Sequence, residues 1–263
     1  MTISVAVCGA AGRMGRETIK TIVGAHDLAL IGGISPHHAG ADCGTLAGLG
    51  HLDIPVVERL ADLPNLPDVV VDFTRPETVK PNVLTALAAG IRPVVGTSGL
   101  FHSDVAEIAQ LASDRHLGTI VAPNFAIGAI LLLRFATEAA RFFEHAEIIE
   151  LHHHLKADAP SGTAIKTAEA MLGVRASFGA STAACETYCP ARGADFEGSG
   201  LHIHSVRLPG LLAHQEVIFG SPGQTLTLRH DSLSRESFMP GVLLAIRKVV
   251  ALDELVYGLE QLI

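Results

Sequence analysis

Ile3-Ser4-Val5-Ala6-Val7-Cys8-Gly9-Ala10-Ala11-Gly12-Arg13-Met14-Gly15, near the start of the chain, sets its architecture. A short apolar run of strand length ends at Gly9, and the pattern predicts a helix from Arg13 to about Val23. The glycines form G-x-x-G-x-x-G, a relative of the dinucleotide fingerprint. Glycine there permits a tight turn and lets a pyrophosphate approach amides at a helix N-terminus. A glycine turn needed only for packing has the same spelling; its place at the first strand–helix junction favours the functional reading. Arg13 opposes the helix macrodipole, which suits a residue facing a bound phosphate. A solvated surface arginine is the alternative.

Further along, residues 28–34 read as a second buried strand. It ends Gly33-Ile34-Ser35-Pro36-His37-His38, without the acid that binds a ribose 2′-hydroxyl. Ser35, His37, His38 or Arg13 can then receive a 2′-phosphate, so NADPH or dual use with NADH is expected. An exposed loop pair is the competing reading of His37 and His38. Strands are predicted at 68–73, 92–95 and 119–122. Helices are predicted from Pro76 to residue 89, where Gly90 stops the helix, and over 104–115. Near-continuous Val/Ile/Ala strands alternating with helices imply an α/β, doubly wound parallel sheet covered on both faces. Its ligands bind outside the carboxyl ends of the strands. Asp72-Phe73-Thr74-Arg75-Pro76 and Gly96-Thr97-Ser98-Gly99 sit at two such ends, where small residues admit a nicotinamide or simply turn the chain.

The second half changes character. A helix is predicted over 127–143, then alternating strands at 147–154, 201–207, 216–219 and 225–230. Ser221-Pro222-Gly223-Gln224 is a tight turn joining the last two. These strands predict an inserted α+β domain with an open, mostly antiparallel sheet. Residues 177–200 read as a loop. A last amphipathic helix, 240–251, is expected to pack back on the first domain. The division is therefore 1–124 with 233–263, and 125–232.

Composition narrows the function. The chain has 263 residues, 48% hydrophobic, with a net charge of -8 and no Trp. No Lys/Arg run appears, which argues against nucleic acid as a partner. The longest apolar run, 126–133, is far too short to span a bilayer. The N-terminus has no basic leader and reads as a strand, so a cytoplasmic location is expected. Cys8, Cys43, Cys185 and Cys189 are scattered and read as ordinary thiols. Cys185 and Cys189 lack the second pair that a metal site requires.

The densest chemistry is Glu150-Leu151-His152-His153-His154-Leu155-Lys156-Ala157-Asp158-Ala159-Pro160-Ser161-Gly162-Thr163-Ala164. If the strand continues, His152, His154 and Lys156 share one face and form a proton-donating cluster. A polar strand edge is the plainer alternative. Adjacent strand histidines point to opposite faces, so no metal set is expected. Pro160 to Thr163 should begin a helix, capped by Ser161 or Thr163. Gly162 leaves its amides open to a carboxylate or phosphate, although an ordinary capped helix fits too. His202 and His204 share a face of a later strand and read as interface or surface residues.

Together GAAGRMG, VVDFTRPE, VVGTSG, APNF and EIIELHHHLKADAPSGTA resemble the 4-hydroxy-tetrahydrodipicolinate reductase (dihydrodipicolinate reductase) family over nearly the whole chain. That resemblance implies NAD(P)H-dependent reduction of 4-hydroxy-tetrahydrodipicolinate, with loss of water, in diaminopimelate and lysine biosynthesis. It implies His152 as catalytic acid/base and Lys156 as a second proton donor. His153, with Ser161, Gly162 and Thr163, would hold the carboxylates of a small dicarboxylate substrate. Gly9, Ala10, Ala11, Gly12, Arg13, Met14, Gly96, Thr97, Ser98, Ala122, Pro123, Asn124 and Phe125 would line the cofactor, with Ser35 at the end of the second strand. The family also implies a homotetramer built through the inserted domain. Two departures stand out: Ser35 replaces an acid found in many members, and Ser98 replaces the commoner second Thr. Other amino-acid dehydrogenases on this fold, and a non-catalytic NAD(P)-sensing module, are the rival readings. The segment 150–164 argues against both.

Overall fold

The computed structural model describes residues 2–179 and 191–263. Cys185, Cys189 and the middle of the 177–200 loop lie outside the described residues. In chain order the elements are β1 (Ile3–Cys8), α1 (Arg13–Val23), β2 (Leu28–Ile34), α2 (Cys43–Ala47), β3 (Val56–Val57), β4 (Val69–Asp72), α3 (Pro76–Ala88), β5 (Arg92–Val95), α4 (His102–Arg115) and β6 (Thr119–Val121). Then follow α5 (Ile127–Ala139), β7 (His145–His152), α6 (Gly162–Leu172), β8 (Ala194–Asp195), β9 (His202–Arg207), β10 (Ala213–Ser221), β11 (Gln224–Ser232), α7 (Met239–Val249) and β12 (Leu255–Tyr257). The chain divides into two compact units, Met1–Phe125 with Phe238–Ile263, and Ala126–Ser237. Among the described residues no helix is long and apolar enough to cross a membrane.

The first unit holds a seven-stranded sheet in the order β12-β6-β5-β4-β1-β2-β3. Every pairing in it is parallel. All four residues of β4 are buried, as expected of a strand covered on both faces. Helix α1 turns Thr18, Ile19 and Ile22 inward at helical spacing. Helix α7 buries Met239, Val242, Ala245, Ile246 and Val249 and belongs to this unit. Three short pieces carry no clear sequence signal: α2, β3 and β12. Helix α2 depends on Asp42, whose carboxylate caps it by accepting from the Thr45 N–H at 2.8 Å. Strand β12 exists because it pairs with β6.

In the second unit the sheet order is β11-β10-β7-β9-β8. Three pairings are antiparallel and β7–β9 is parallel. The turn residue Gly223 has φ +81°, as expected of a hairpin glycine. The inner face carries Ala146, Ile148, Ile203, Val217 and Phe219, packed with Leu132 and Ala136 of α5 and Ala164, Ala168 and Met171 of α6. Helix α5 stops at Ala139, four residues short of expectation, because the Phe142 N–H tightens onto Ala139 O at 3.0 Å. Part of the expected 177–200 loop is strand β8, held by β9.

Candidate active site

The glycine turn is built by close backbone approach. Gly9 has φ +80°, and a Cβ there would lie 2.4 Å from the Phe73 carbonyl oxygen. A Cβ on Gly15 would lie 2.1 Å from the Gly9 oxygen. The Gly9 and Ala10 N–H groups both donate to Ile34 O, at 2.9 and 3.2 Å, tying the turn to the end of β2. Strand β1 lies between β2 and β4, so this turn sits where the strand order reverses. That is where doubly wound sheets bind dinucleotides. Gly12 is the N-cap of α1 and offers no capping side chain, and the first turn holds no acid. The leading amides of α1 therefore have no side-chain cap, and Arg13 is exposed beside them. Ala11 and Met14 are half-buried in the same turn.

Two further strand ends are fastened to each other. The Asp72 carboxylate is buried, and its Oδ1 accepts from the Thr74 N–H at 3.0 Å, Thr74 Oγ1 at 2.6 Å and Thr97 Oγ1 at 2.7 Å. Asn82 Nδ2 donates to Oδ2 at 2.9 Å. The Thr97 hydroxyl is thus engaged within the protein, while the cofactor reading of Gly96 to Gly99 concerns their backbone. Gly96 is glycine because a Cβ would sit 2.1 Å from the Phe73 ring. That ring meets Phe125 edge-on, with centroids 5.7 Å apart. Phe73 thus brings the Gly96–Ser98 turn beside the segment Ala122-Pro123-Asn124-Phe125, of which Pro123 is exposed. At the end of β2, Ser35 Oγ lies 3.2 Å from His38 Nδ1, while His37 and His38 are exposed.

In the second unit, β7 ends at His152, two residues before the expected limit. The Lys156 N–H turns back onto His153 O at 3.1 Å. His154 and Lys156 therefore do not continue a strand face with His152, and His154 is exposed. A different residue organises the cluster. Glu150 is fully buried on the inner face of β7, in line with Ala146 and Ile148. His152 Nδ1 lies 2.5 Å from Glu150 Oε2. Arg207, on β9, donates from NH1 to Oε2 at 2.8 Å and from NH2 to Oε1 at 2.7 Å. The Ser161 N–H donates to Oε1 at 3.2 Å. Burial pushes the Glu150 carboxyl up, but hydrogen bonds from His152, Arg207 and Ser205 override it and hold it at about 2. Arg207 NH2 also donates to Asp158 O at 2.7 Å, and Asp158 holds Lys156 Nζ through both carboxylate oxygens at 2.7 and 2.8 Å. His152 and Lys156 are thus joined through Glu150, Arg207 and Asp158.

The sequence reading assigns no role to Glu150 or Arg207. A charged residue in the buried register of an alternating strand is the available signal, because such a group requires a partner.

Helix α6 starts beside this cluster. Ser161 is buried and caps it, its Oγ accepting from the Ala164 N–H at 3.2 Å. Gly162 follows, exposed, with nothing within 4 Å of where a Cβ would stand and no positive φ. The fold gives no steric reason for glycine at that position. Thr163 and His153 are half-buried nearby in the chain. Among the described residues no group of three His, Cys, Asp or Glu is gathered to hold a metal ion.

A doubly wound dinucleotide-binding unit joined to a mixed-sheet unit with an imidazole–carboxylate–ammonium cluster defines a pyridine-nucleotide oxidoreductase. The chain belongs to the dihydrodipicolinate reductase family: residues 3–125 match the model of its N-terminus and residues 128–263 that of its C-terminus. It is 50% identical over 272 residues to the 4-hydroxy-tetrahydrodipicolinate reductase of Trichormus variabilis, covering 99% of this chain and 98% of that one. A solved structure, the dipicolinate-bound dihydrodipicolinate reductase of Paenisporosarcina sp. TG-14, is 42% identical with a TM-score of 0.87, covering 100% of both chains. An amine dehydrogenase of Mycobacterium smegmatis shares 15% identity and a TM-score of 0.65 over 97% of this chain and 95% of its own, and so shares the fold alone.

Proposed function

We propose that the chain reduces 4-hydroxy-tetrahydrodipicolinate to tetrahydrodipicolinate, in the formation of diaminopimelate and lysine. One hydride and one proton enter the substrate and one water leaves. The observation that carries this reading is the junction of His152 and Lys156 through the pair of buried Glu150 with half-buried Arg207, beside a helix start with an unexplained glycine. The relative from Paenisporosarcina, bound to dipicolinate, supports a ring dicarboxylate as the ligand class.

The amides of Gly162 and Thr163 at the start of α6, with His153, suit the substrate carboxylates. Hydride addition to a conjugated imine builds negative charge, which a proton from His152 or the Lys156 ammonium quenches. Lys156 is held ready by Asp158, with its side chain 22% exposed.

The first unit fits a dinucleotide: a glycine cradle that a Cβ would fill, and helix amides without a side-chain cap. Gly9 to Met14 would hold its pyrophosphate, and Gly96 to Ser98 with Ala122 to Phe125 its nicotinamide half. When bound, the dinucleotide supplies the hydride. Because β2 is followed by Ser35-Pro36-His37-His38 without an acid, nothing there repels a 2′-phosphate, so NADPH is accepted as well as NADH.

Ile149, Leu151, Val206 and Ile218 stand part-exposed on the outer face of the five-stranded sheet, which supports a homotetramer assembled through it. The buried free thiols Cys8 and Cys43 suit a reducing cytoplasm.

The test is a coupled assay that generates the condensation product of aspartate semialdehyde and pyruvate and follows NADPH and NADH oxidation. Turnover that falls at least about 100-fold in His152→Ala, with cofactor affinity kept, supports the reading. Cofactor binding without oxidation of either nucleotide by the wild-type chain refutes it.

A further inference from the structure

Glu150 can only accept. Its carboxyl is held ionised, and an ionised carboxylate has no proton to donate. The 2.5 Å contact with His152 Nδ1 therefore requires the imidazole proton on Nδ1. We infer that Glu150 is a positioning residue, which locks His152 in the Nδ1–H tautomer and leaves Nε2 as the nitrogen that exchanges protons with substrate. The inference rests on His152 being the proton-transferring group proposed above.

The rest of the cluster explains why Glu150 itself stays put. Arg207 grips both carboxylate oxygens, and the Ser161 N–H adds a second donor to Oε1. The carboxylate cannot rotate without breaking several charge-assisted hydrogen bonds. The guanidinium also balances its charge inside the unit. The arrangement follows the logic of an acid–imidazole pair in which the acid fixes tautomer and orientation and never takes the proton.

Glu150→Gln inverts this logic. Oε1 faces two donors that cannot become acceptors, Arg207 NH2 and the Ser161 N–H, whereas Oε2 faces one, Arg207 NH1, beside a His152 ring that can change tautomer, so the amide oxygen takes the Oε1 side and the Arg207 NH1 bond is given up. The amide NH2 then occupies the Oε2 position and faces His152 Nδ1. That nitrogen must accept, and the proton moves to Nε2. Glu150→Asp keeps an acceptor-only group on a shorter stem.

The experiment is a long-range 1H–15N spectrum of histidine-labelled protein at about pH 8.5, where free imidazole is neutral. His152 is assigned with His152→Gln, and steady-state kinetics run alongside. Wild-type His152 is expected to carry its proton on Nδ1, and Glu150→Gln to carry it on Nε2. The kcat of Glu150→Gln should fall roughly 10- to 100-fold with both KM values within about twofold, and Glu150→Asp should recover part of the loss. A merely structural role would move neither the tautomer nor kcat alone. Wild-type His152 protonated on Nε2, or full kcat in Glu150→Gln, overturns the inference. If Glu150→Gln does not fold, the wild-type spectrum decides. Unchanged turnover in His152→Ala overturns the functional reading beneath it, even with Nδ1–H in place.

Discussion

Thr97 Oγ1 donates to Asp72 Oδ1 at 2.7 Å and accepts the Thr74 N–H at 2.8 Å. One hydroxyl thereby fastens the turn after β5 to the turn after β4. Thr97→Val takes one of three donors from the buried Asp72 Oδ1 and leaves the Thr74 N–H with Oδ1 as its remaining acceptor. It should cost about 1–3 kcal/mol in denaturant unfolding and raise the cofactor KM. Thr97→Ser should behave as wild type. Lost cofactor affinity at unchanged stability would instead mean that the hydroxyl touches the cofactor directly.

Gly12 separates stability from binding. Its φ of -72° and ψ of 166° suit any residue, and a Cβ there would lie 3.1 Å from the Gly9 oxygen, its nearest neighbour. Gly12→Asp supplies α1 with the cap and the negative charge it lacks. The melting temperature without cofactor should hold or rise, while affinity for NADPH falls by at least about tenfold, or about 1.4 kcal/mol. Equal affinity would remove the pyrophosphate from this helix start.

The proposed acceptance of NADPH is tested at the end of β2. Ser35→Asp restores an acid there, beside exposed His37 and His38. The ratio of kcat/KM for NADPH to that for NADH should drop by roughly tenfold or more, since an acid binds a ribose 2′-hydroxyl and repels a 2′-phosphate. An unchanged ratio would place the 2′-phosphate elsewhere.

At Gly162 a Cβ would meet no protein atom within 4 Å. Gly162→Val should therefore fold normally and raise KM for the dicarboxylate. A change confined to cofactor affinity would mean that the start of α6 is not the carboxylate site.

The Glu150 carboxyl, at about 2, lies below its ordinary 4.5. Between those values the unfolded chain binds the extra proton, so stability from this group is complete above about pH 4.5 and lost as pH falls toward 2. Asp42 behaves alike: burial raises its carboxyl, but the amides of Thr45, Ile54 and Leu52 hold it at about 2. The stability gap between wild type and Glu150→Gln should narrow across this window, as melting curves at successive pH values would show. A gap independent of pH would mean that the Glu150 charge does not stabilise the fold.

Much of the first unit is legible in the chain. Runs such as Val69-Val70-Val71 are apolar throughout because both faces of a parallel strand are covered, and helical spacing plus Gly24 and Gly90 mark the helices. Strands β3 and β12 are not legible: two or three residues carry no periodicity, and each is a strand only because a neighbouring strand pairs with it. The run after His152 misleads for a related reason. Alternation alone would continue the strand, but the turn at Lys156 and the exit toward α6 end it.

Local chemistry along the chain was enough to specify the glycine cradle, the doubly wound order of elements and the histidine–lysine segment, because each depends on residues within a few positions of one another. Long-range packing assigned Thr97 to Asp72 and put Glu150 in control of His152. Those links join residues 25 and 57 positions apart, Asp72 to Thr97 and Glu150 to Arg207. A buried carboxylate announces only that it needs partners; strand register chooses which donors arrive.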